Sequence, residues 1–339
     1  MIKYIVLSLF SFMPIVLNGH SHGHEIQTTG SEHESIHTDK RPLAVVAGWG
    51  AVGQLVSSPI IGSTHGGIAV DKAGLIYVSS SEGIYVFDSS GAVVKTFLGQ
   101  PYKNIHSLFL DEEQGVEYLY GARNNNAEAL KMNTSGEIVL RLKFPSESGV
   151  EGTFKPTAIA VKPDGHILIA DGYGTNRIYE FDAEGNYLSY FGGKDAHAVD
   201  KFKTPHGLTI DKRYEPARIL ISDREKRRLV HFTLEGEFIG EVMGGLRRPC
   251  AASICEDGRV AIAELQGRVT LLDKKNQLIG VLGDNPNKAQ WANFKVAPED
   301  WKEGIFTAPH GLAWDNECNL YVQDWNATGR ISKWVKSKN

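Results

Sequence analysis

A unit of about forty residues recurs along this chain from residue 62 onward, and this repeat constrains the fold more than any other feature. A complete copy contains four β-rich runs separated by turns or polar loops, as in TAIAVKPDGHILIADGYGTNRIYEFDAEGNYLSYFGG, whose turns are Pro-Asp-Gly and Ala-Glu-Gly. No helical periodicity lies between the copies. A repeated antiparallel unit of this size favours the blades of a propeller, because a sandwich has no reason to repeat its sequence. We therefore predict an all-β, six-bladed β-propeller.

The two ends of the repeat region predict how the ring closes. The expected blades span about 62–100, 101–148, 152–195, 201–245, 246–284 and 305–339, and the sixth copy ends without a fourth strand. Residues 43–50, LAVVAGWG, are similar to the fourth strands VVKTFLG and LIGVLGD of other copies. A strand from the N-terminal side would close the ring and remove exposed sheet edges. We expect the propeller to cover residues 43–339, with 43–50 completing blade six.

The N-terminal residues have the pattern of an export signal. Lys3 precedes an apolar run from Ile5 to Leu17 that ends in Asn18-Gly19, which predicts a signal peptide over residues 1–19. An uncleaved anchor is the alternative. No later stretch approaches about 20 apolar residues, so we expect no membrane span in the mature chain. The expected location is extracytoplasmic, either secreted or periplasmic.

Residues 20–42 are polar and rich in histidine, and they predict a disordered tether, with metal capture as the alternative. Net charge is −4, and no basic cluster extends beyond residues 224–228, so a nucleic-acid partner is not expected. Three cysteines cannot form a disulfide framework, and one must remain unpaired. Stability must then come mainly from the core.

Propeller geometry predicts where a functional site would lie. The loop that enters the first strand of each blade and the loop after its second strand share one face. The residues just before the six first strands are His65, His106, Thr157, His206, Cys250 and His310. The loops after the second strands carry Ser80, Arg123, Asp171 with Tyr173, Asp223 with Arg224, Glu264, and Asp324 with Trp325.

The histidines of this rim predict a metal site. Because all first strands converge on the axis, imidazoles that are distant in sequence can meet, as a three-histidine site with one open position requires. The alternative is that each histidine is a repeat residue that caps a turn. His65, Asp171 and Asp223 are further rim candidates, whereas His166, His197 and His231 are expected at the surface.

The segments PTAIAV, ADGYGTNRI, FKTPHGLTID, ISDREKRRL and TAPHGLAWD closely resemble the NHL-repeat propeller of peptidyl-α-hydroxyglycine α-amidating lyase, of the peptidylglycine α-amidating family. The likeness covers residues 100–335. It implies a carbon–nitrogen lyase that splits a C-terminal α-hydroxyglycine into a peptide amide and glyoxylate.

The resemblance also implies particular residues. A zinc ion, or another divalent metal, would be bound by His106, His206 and His310, with Tyr173 taking the hydroxyl proton and Arg224 holding the substrate carboxylate. The substrate would be a small molecule or a peptide C-terminus. A partner monooxygenase that supplies the hydroxylated substrate is left open.

Three departures from the family pattern weigh against full lyase activity. Ser80 lies near the position of a second catalytic arginine, for which Arg123 could substitute. Ala308 and Gly311 stand where the family has a methionine and a calcium-binding aspartate, so calcium is not expected. Altered or lost lyase activity is therefore an open interpretation. The alternative function is a non-catalytic propeller that binds a protein, peptide or glycan on its metal-bearing face.

An insertion enlarges the loop that enters blade six on the predicted metal face. Residues 285–304 could form a lid, with Trp291 and Trp301 offering a stacking surface to a substrate. A packed insertion that buries both indoles is the alternative.

Overall fold

The computed structural model describes residues 43–47, 49, 61–195 and 197–337, all within the compact unit Thr38–Asn339. The predicted signal peptide and tether lie outside the described residues, as do positions 48 and 50 of the predicted closing strand. Within the described ranges, no helix has the length and apolar character needed to cross a bilayer.

Six antiparallel sheets of four strands form the propeller that the repeat predicts. Blade one contains β2 Thr64–Val70, β3 Ile76–Ser80, β4 Gly83–Phe87 and β5 Val93–Leu98. Blade two contains β6 Ser107–Glu113, β7 Val116–Arg123, β8 Glu128–Asn133 and β9 Ile138–Lys143. Blade three contains β10 Ala158–Val161, β11 Ile167–Ala170, β12 Arg177–Phe181 and β13 Tyr187–Gly192.

The other three blades follow the same order. Blade four contains β14 Pro205–Asp211, β15 Arg218–Asp223, β16 Arg228–Phe232 and β17 Phe238–Met243. Blade five contains β18 Pro249–Ile254, β19 Val260–Glu264, β20 Arg268–Leu272 and β21 Leu278–Leu282. Blade six contains β22 Pro309–Trp314, β23 Leu320–Asp324 and β24 Arg330–Lys336. Short 3₁₀ turns occur at Asn124–Asn126, Ser146–Ser148, Arg224–Lys226, Lys288–Gln290 and Pro298–Asp300.

The fourth strand of blade six comes from the N-terminal side of the chain. Strand β1, Leu43–Val45, pairs antiparallel with β24, and Leu43 lies opposite Lys336. The strand is shorter than the predicted 43–50. Trp49 packs against Tyr321 at a centroid distance of 4.9 Å, and its indole Nε1–H donates to the carbonyl of Ser89 at 3.0 Å. This segment therefore contacts blade six and blade one.

The core lies between the blades. A separate apolar cluster fills each of the six interfaces between neighbouring blades. Second and third strands therefore bury both faces, as in the fully buried β3 and β19, whereas fourth strands such as β13 are largely exposed. A Cys255–Cys318 disulfide joins blades five and six, and Cys250 is a free, buried thiol.

Candidate metal centre

The rim residues owe their direction to irregular pairing at the start of the first strands. In blades four, five and six the register shifts across the rim residue, so His206, Cys250 and His310 have no partner opposite them on the second strand. An unpaired residue of this kind re-aims its side chain. In blade one, the shift between Thr64 and Ile68 spans His65. The rim side chains can thus turn toward the axis instead of following the alternation of the strand.

The glycine after a rim histidine lets neighbouring first strands approach each other. A Cβ on Gly207 would lie 2.6 Å from the Cys250 carbonyl oxygen, and one on Gly311 would overlap the backbone of Gly66. Pro-His-Gly in blades four and six therefore combines a re-aimed imidazole with close packing at the axis.

Four imidazoles form one cluster at the rim. The ring centroids of His106, His206 and His310 lie between 4.6 and 5.1 Å apart. His65 joins this cluster at 4.4 Å from His106 and 4.8 Å from His310. The structure thus brings together all four rim histidines.

Backbone carbonyls set the tautomers of two of these rings. The Nδ1–H of His106 donates to the Thr157 carbonyl at 2.7 Å, and the Nδ1–H of His206 donates to the Cys250 carbonyl at 2.8 Å. A carbonyl oxygen only accepts hydrogen bonds, so Nδ1 carries the proton in both rings. In a neutral imidazole, Nε2 is then unprotonated and carries the lone pair. This is the usual orientation of a metal-binding histidine with a second hydrogen bond.

The environment keeps the imidazoles neutral. Burial, with the nearby Arg224 guanidinium, lowers the pKa of His65 from 6.5 to about 4. Burial lowers the pKa of His106, His206 and His310 well below the ordinary value, and the neighbouring imidazoles and Arg224 lower it further. Neutral imidazoles are the form that binds metal.

At the rim, the described residues include two sets of three possible ligand atoms that lie within 4.8 Å of one another. One set is His65, His106 and His310, and the other is His206, Cys250 and His310. Neither is the predicted triad, although each contains two of its members. Cys250 was not predicted as a ligand, but the sequence carried the signal, because Pro249-Cys250 occupies the repeat position of Pro205-His206 and Pro309-His310.

Tyr173 contacts the histidine cluster directly. Its hydroxyl oxygen lies 2.9 Å from His206 Nε2 and 3.3 Å from His106 Nε2, and it accepts a hydrogen bond from Arg224 Nη1 at 2.9 Å. Burial raises the pKa of Tyr173, and Arg224 opposes that effect. Tyr173 is therefore a neutral phenol here, and the predicted uptake of the hydroxyl proton would need added positive charge that first deprotonates it.

Arg224 already has two partners. Its Nη1 donates to Tyr173 and its Nε to Glu225, which also accepts from Arg248 at 2.6 Å. The predicted bidentate contact with a substrate carboxylate would require one of these bonds to change. Arg248, two residues before Cys250, is a second arginine beside this network that sequence reasoning missed.

Arg123 is tied to partners other than the histidines. Its Nη1 is paired with Glu128, and its Nη2 donates to Gln100 at 2.5 Å. Ser80 donates to the Gly83 carbonyl and accepts from the amide of Glu82. Both side chains are thus engaged in the local structure of blades one and two.

The predicted rim carboxylates hold loops in place. Asp171 accepts from the amides of Lys155 and Thr175, each at 2.6 Å. Asp223 accepts from the amide of Lys203 at 2.8 Å and is paired with Arg228 at 3.0 Å. In both blades the carboxylate at the end of the second strand fixes the loop that enters the first strand. These contacts support a positioning role.

The 285–304 segment approaches the cluster through a residue other than its tryptophans. The indole of Trp291 donates to the Asn285 carbonyl and that of Trp301 to the Val296 carbonyl, so both are held within the segment. Phe294 instead packs on Trp325, at a centroid distance of 5.0 Å. Both rings line a cavity of about 180 Å³ with Ser63, Thr64, His65, Ser79, Ser80 and Asn104.

One predicted surface histidine is buried, so that prediction was wrong. His231, 3% exposed, lies with its Nε2 3.0 Å from Asp211, which is also paired with Arg213. Its place on β16, where both faces of the strand are covered, explains the burial. His166 is half-buried beside Glu180, and His197 is exposed.

Curated proteins similar to this chain are named as amidating lyases. A probable peptidyl-alpha-hydroxyglycine alpha-amidating lyase of Caenorhabditis elegans is 30% identical over 133 residues, covering 39% of this chain and 34% of that protein. Peptidyl-alpha-hydroxyglycine alpha-amidating lyase 2 of Drosophila melanogaster is 27% identical over 269 residues, covering 74% of this chain and 60% of that protein. The chain thus spans only one third to three fifths of the length of these relatives. No family model matches the sequence.

Solved structures with the same architecture share little sequence. A streptogramin B lyase aligns with a TM-score of 0.57 at 14% identity, covering 87% of this chain and 97% of that one. A Bacteroides thetaiotaomicron protein of unknown function aligns with a TM-score of 0.61 at 13% identity, covering 87% of this chain and 76% of that one. These likenesses concern the fold alone. The chain is a six-bladed β-propeller that resembles the peptidyl-α-hydroxyglycine α-amidating lyases, as its sequence motifs predicted.

Proposed function

We propose that this chain is an exported, divalent-metal-dependent carbon–nitrogen lyase that acts on a small molecule or a peptide C-terminus bearing α-hydroxyglycine. One observation carries the proposal: the Tyr173 hydroxyl joins an arginine to a cluster of neutral imidazoles. Packing between blades does not require a buried phenol that bridges a guanidinium and the unprotonated nitrogens of two imidazoles. Such an arrangement is typical of a functional site. The names of the similar curated proteins supply the reaction type.

The donor chemistry fits a divalent ion such as zinc. The His106 and His206 rings each bond to a carbonyl through Nδ1, which leaves Nε2 unprotonated with the Tyr173 hydroxyl beside it, and His310 lies 4.6 Å from His206 by ring centroids. These three remain the proposed ligands. Imidazole suits zinc and other late first-row ions, whereas calcium prefers oxygen donors. A bound ion would supply positive charge that lowers the pKa of the substrate hydroxyl.

Tyr173 would move the proton. Its own proton would first pass to solvent, and the resulting phenolate would accept the substrate hydroxyl proton and return it to the leaving amide nitrogen as the carbon–nitrogen bond breaks. The hydroxyl-bearing carbon then becomes the aldehyde of glyoxylate, and the peptide leaves as an amide, so atoms and charge balance. Arg224, donating at 2.9 Å, would stabilise negative charge on the Tyr173 oxygen.

The source of the substrate is part of the proposal. Similar proteins include the peptidyl-glycine alpha-amidating monooxygenases A and B of Xenopus laevis, of which the match covers 12%. We infer that a monooxygenase supplies the hydroxylated substrate here. Export rests on the N-terminal signal pattern, and the Cys255–Cys318 disulfide suits an oxidising compartment.

Metal analysis combined with glyoxylate release tests this function. We expect the purified protein to contain a divalent metal and to release glyoxylate from an N-acyl peptide ending in α-hydroxyglycine. Chelation should abolish release, and added zinc should restore it. His206→Ala should lose metal, whereas His197→Ala, at an exposed position, should keep it. Bound metal without glyoxylate release would refute the lyase activity and favour a non-catalytic propeller that binds a partner on its metal-bearing face.

A further inference from the structure

Cys250 occupies the rim position of blade five. It is 1% exposed and lies at the register shift between Pro249 and Ala251, as His206 and His310 do in their own blades. The chain therefore has the same local geometry here, with a thiol in place of an imidazole.

The thiol lies among possible metal ligands. The Sγ of Cys250 and one nitrogen each of His206 and His310 all lie within 4.8 Å of one another. The carbonyl of Cys250 also accepts the Nδ1–H of His206 at 2.8 Å, so one residue both orients this imidazole and carries a thiol beside it.

The thiol is not committed elsewhere. Cys255 and Cys318 are bonded to each other, which leaves Cys250 as the free cysteine. Its thiol donates a long hydrogen bond to the Arg248 carbonyl, with an Sγ–O distance of 3.8 Å, and the Arg224 side chain also contacts the sulfur. Burial raises the pKa of the Cys250 thiol to about 11, although Arg224 and Arg248 beside it act in the opposite direction, so the metal-free protein carries a protonated thiol here.

We propose that Cys250 supplies a thiolate ligand, beside His206 and His310, to the ion at the rim. The inference rests on the proposed metal site and changes its ligand set, because the resemblance implies imidazoles only. As the ion binds, the sulfur–metal bond replaces the sulfur–hydrogen bond, and the proton passes to solvent. A thiolate added to the imidazoles selects thiophilic divalent ions such as Zn²⁺ and Co²⁺ over Ca²⁺ and Mg²⁺.

Cobalt substitution tests the thiolate directly. Metal-free full-length protein is titrated with Co²⁺, which reveals its ligands through its absorption spectrum. We expect an intense near-ultraviolet sulfur-to-cobalt charge-transfer band in the wild type, which Cys250→Ser loses. Substitution of a group that only hydrogen-bonds to a metal ligand lowers metal affinity on the order of 10- to 100-fold. Loss of a ligand itself should therefore weaken Co²⁺ binding by at least about tenfold.

A control at the equivalent rim position separates ligation from general disturbance of the rim. Thr157→Ser keeps the hydroxyl that bonds to the Pro205 carbonyl and should retain the band. Wild type that binds Co²⁺ without the band would refute the thiolate while leaving the proposed metal site intact. Wild type that binds no Co²⁺ would overturn both. Neither of these two outcomes depends on the folding of Cys250→Ser.

Discussion

Tyr173→Phe removes one oxygen and tests whether the rim is built to move a proton. The lost hydroxyl accepts from Arg224 and contacts His206, each at 2.9 Å, so two buried polar groups lose a partner. Leaving a buried group unsatisfied costs about 1–3 kcal/mol, and we expect the metal-free variant to be destabilised by roughly 2–3 kcal/mol. Loss of a general acid–base group lowers a rate by about 10²- to 10⁴-fold.

The assay separates these two effects. Urea unfolding gives the stability, metal content gives site integrity, and glyoxylate release gives kcat. We expect zinc content near that of the wild type, because no ligand is removed, with kcat reduced by about 10²- to 10⁴-fold. Tyr179→Phe is the matched control, since Tyr179 is fully buried in the same blade and its hydroxyl bonds to Thr175 at 2.9 Å. This control should lose stability and keep kcat.

Two results would refute the role given to Tyr173. If the folded, zinc-loaded variant keeps most of the wild-type kcat, the phenol does not carry the proton. If the variant instead loses its zinc, the Tyr173 oxygen holds the ion, and the loss of activity says nothing about proton transfer.

Three further predictions concern stability, each measured by urea unfolding. In metal-free protein, His65 alone should lower the free energy of unfolding by roughly 3 kcal/mol as pH falls from 6.5 to about 4, because the unfolded chain then binds a proton that the partly buried His65 excludes. The lowered pKa values of His106, His206 and His310 add to this loss, and a flat profile would contradict the reasoning. The double substitution Cys255→Ser/Cys318→Ser removes a disulfide whose cysteines are 63 residues apart in sequence. The free energy of unfolding should fall by between about 3 and 4.7 kcal/mol, which are the values for loops of about 15 and 100 residues. An unchanged unfolding midpoint would argue against the disulfide. Asp211→Asn breaks the ion pair between buried Asp211 and partly buried Arg213 and should cost about 3–5 kcal/mol with metal content unchanged; loss of metal would instead connect this network to the rim.

The sequence was sufficient for the architecture because every turn of the repeat is encoded locally. Pro-Asp-Gly in blade three and Leu-Glu-Gly in blade four each return the chain to an antiparallel neighbour, so strand order follows from turn chemistry. The rim histidines follow from the same register, since the residue before each first strand lies on the face where the strands converge. A repeat thus predicts which residues meet, even though they are far apart in sequence.

The partners of each side chain could not be predicted in this way. Whether Arg224 pairs with Asp223 or with Tyr173 depends on side-chain directions in a 3₁₀ turn, and the structure pairs Asp223 with Arg228 instead. Burial of His231 depends on the cover that the neighbouring blade provides. These properties arise from packing between blades, and the repeat pattern within one blade does not predict them.

Gly311 shows how packing at the axis limits the chemistry of the rim. The resemblance places a carboxylate at this position, yet even a Cβ would overlap the carbonyl of Gly66 in blade one. The first strands of blades one and six would have to separate to admit any side chain there. The same approach brings the rings of His65 and His310 to 4.8 Å. A side chain at position 311 would therefore require the first strands that carry His65 and His310 to move apart, so this chain favours nitrogen donors at the rim over an oxygen ligand at position 311.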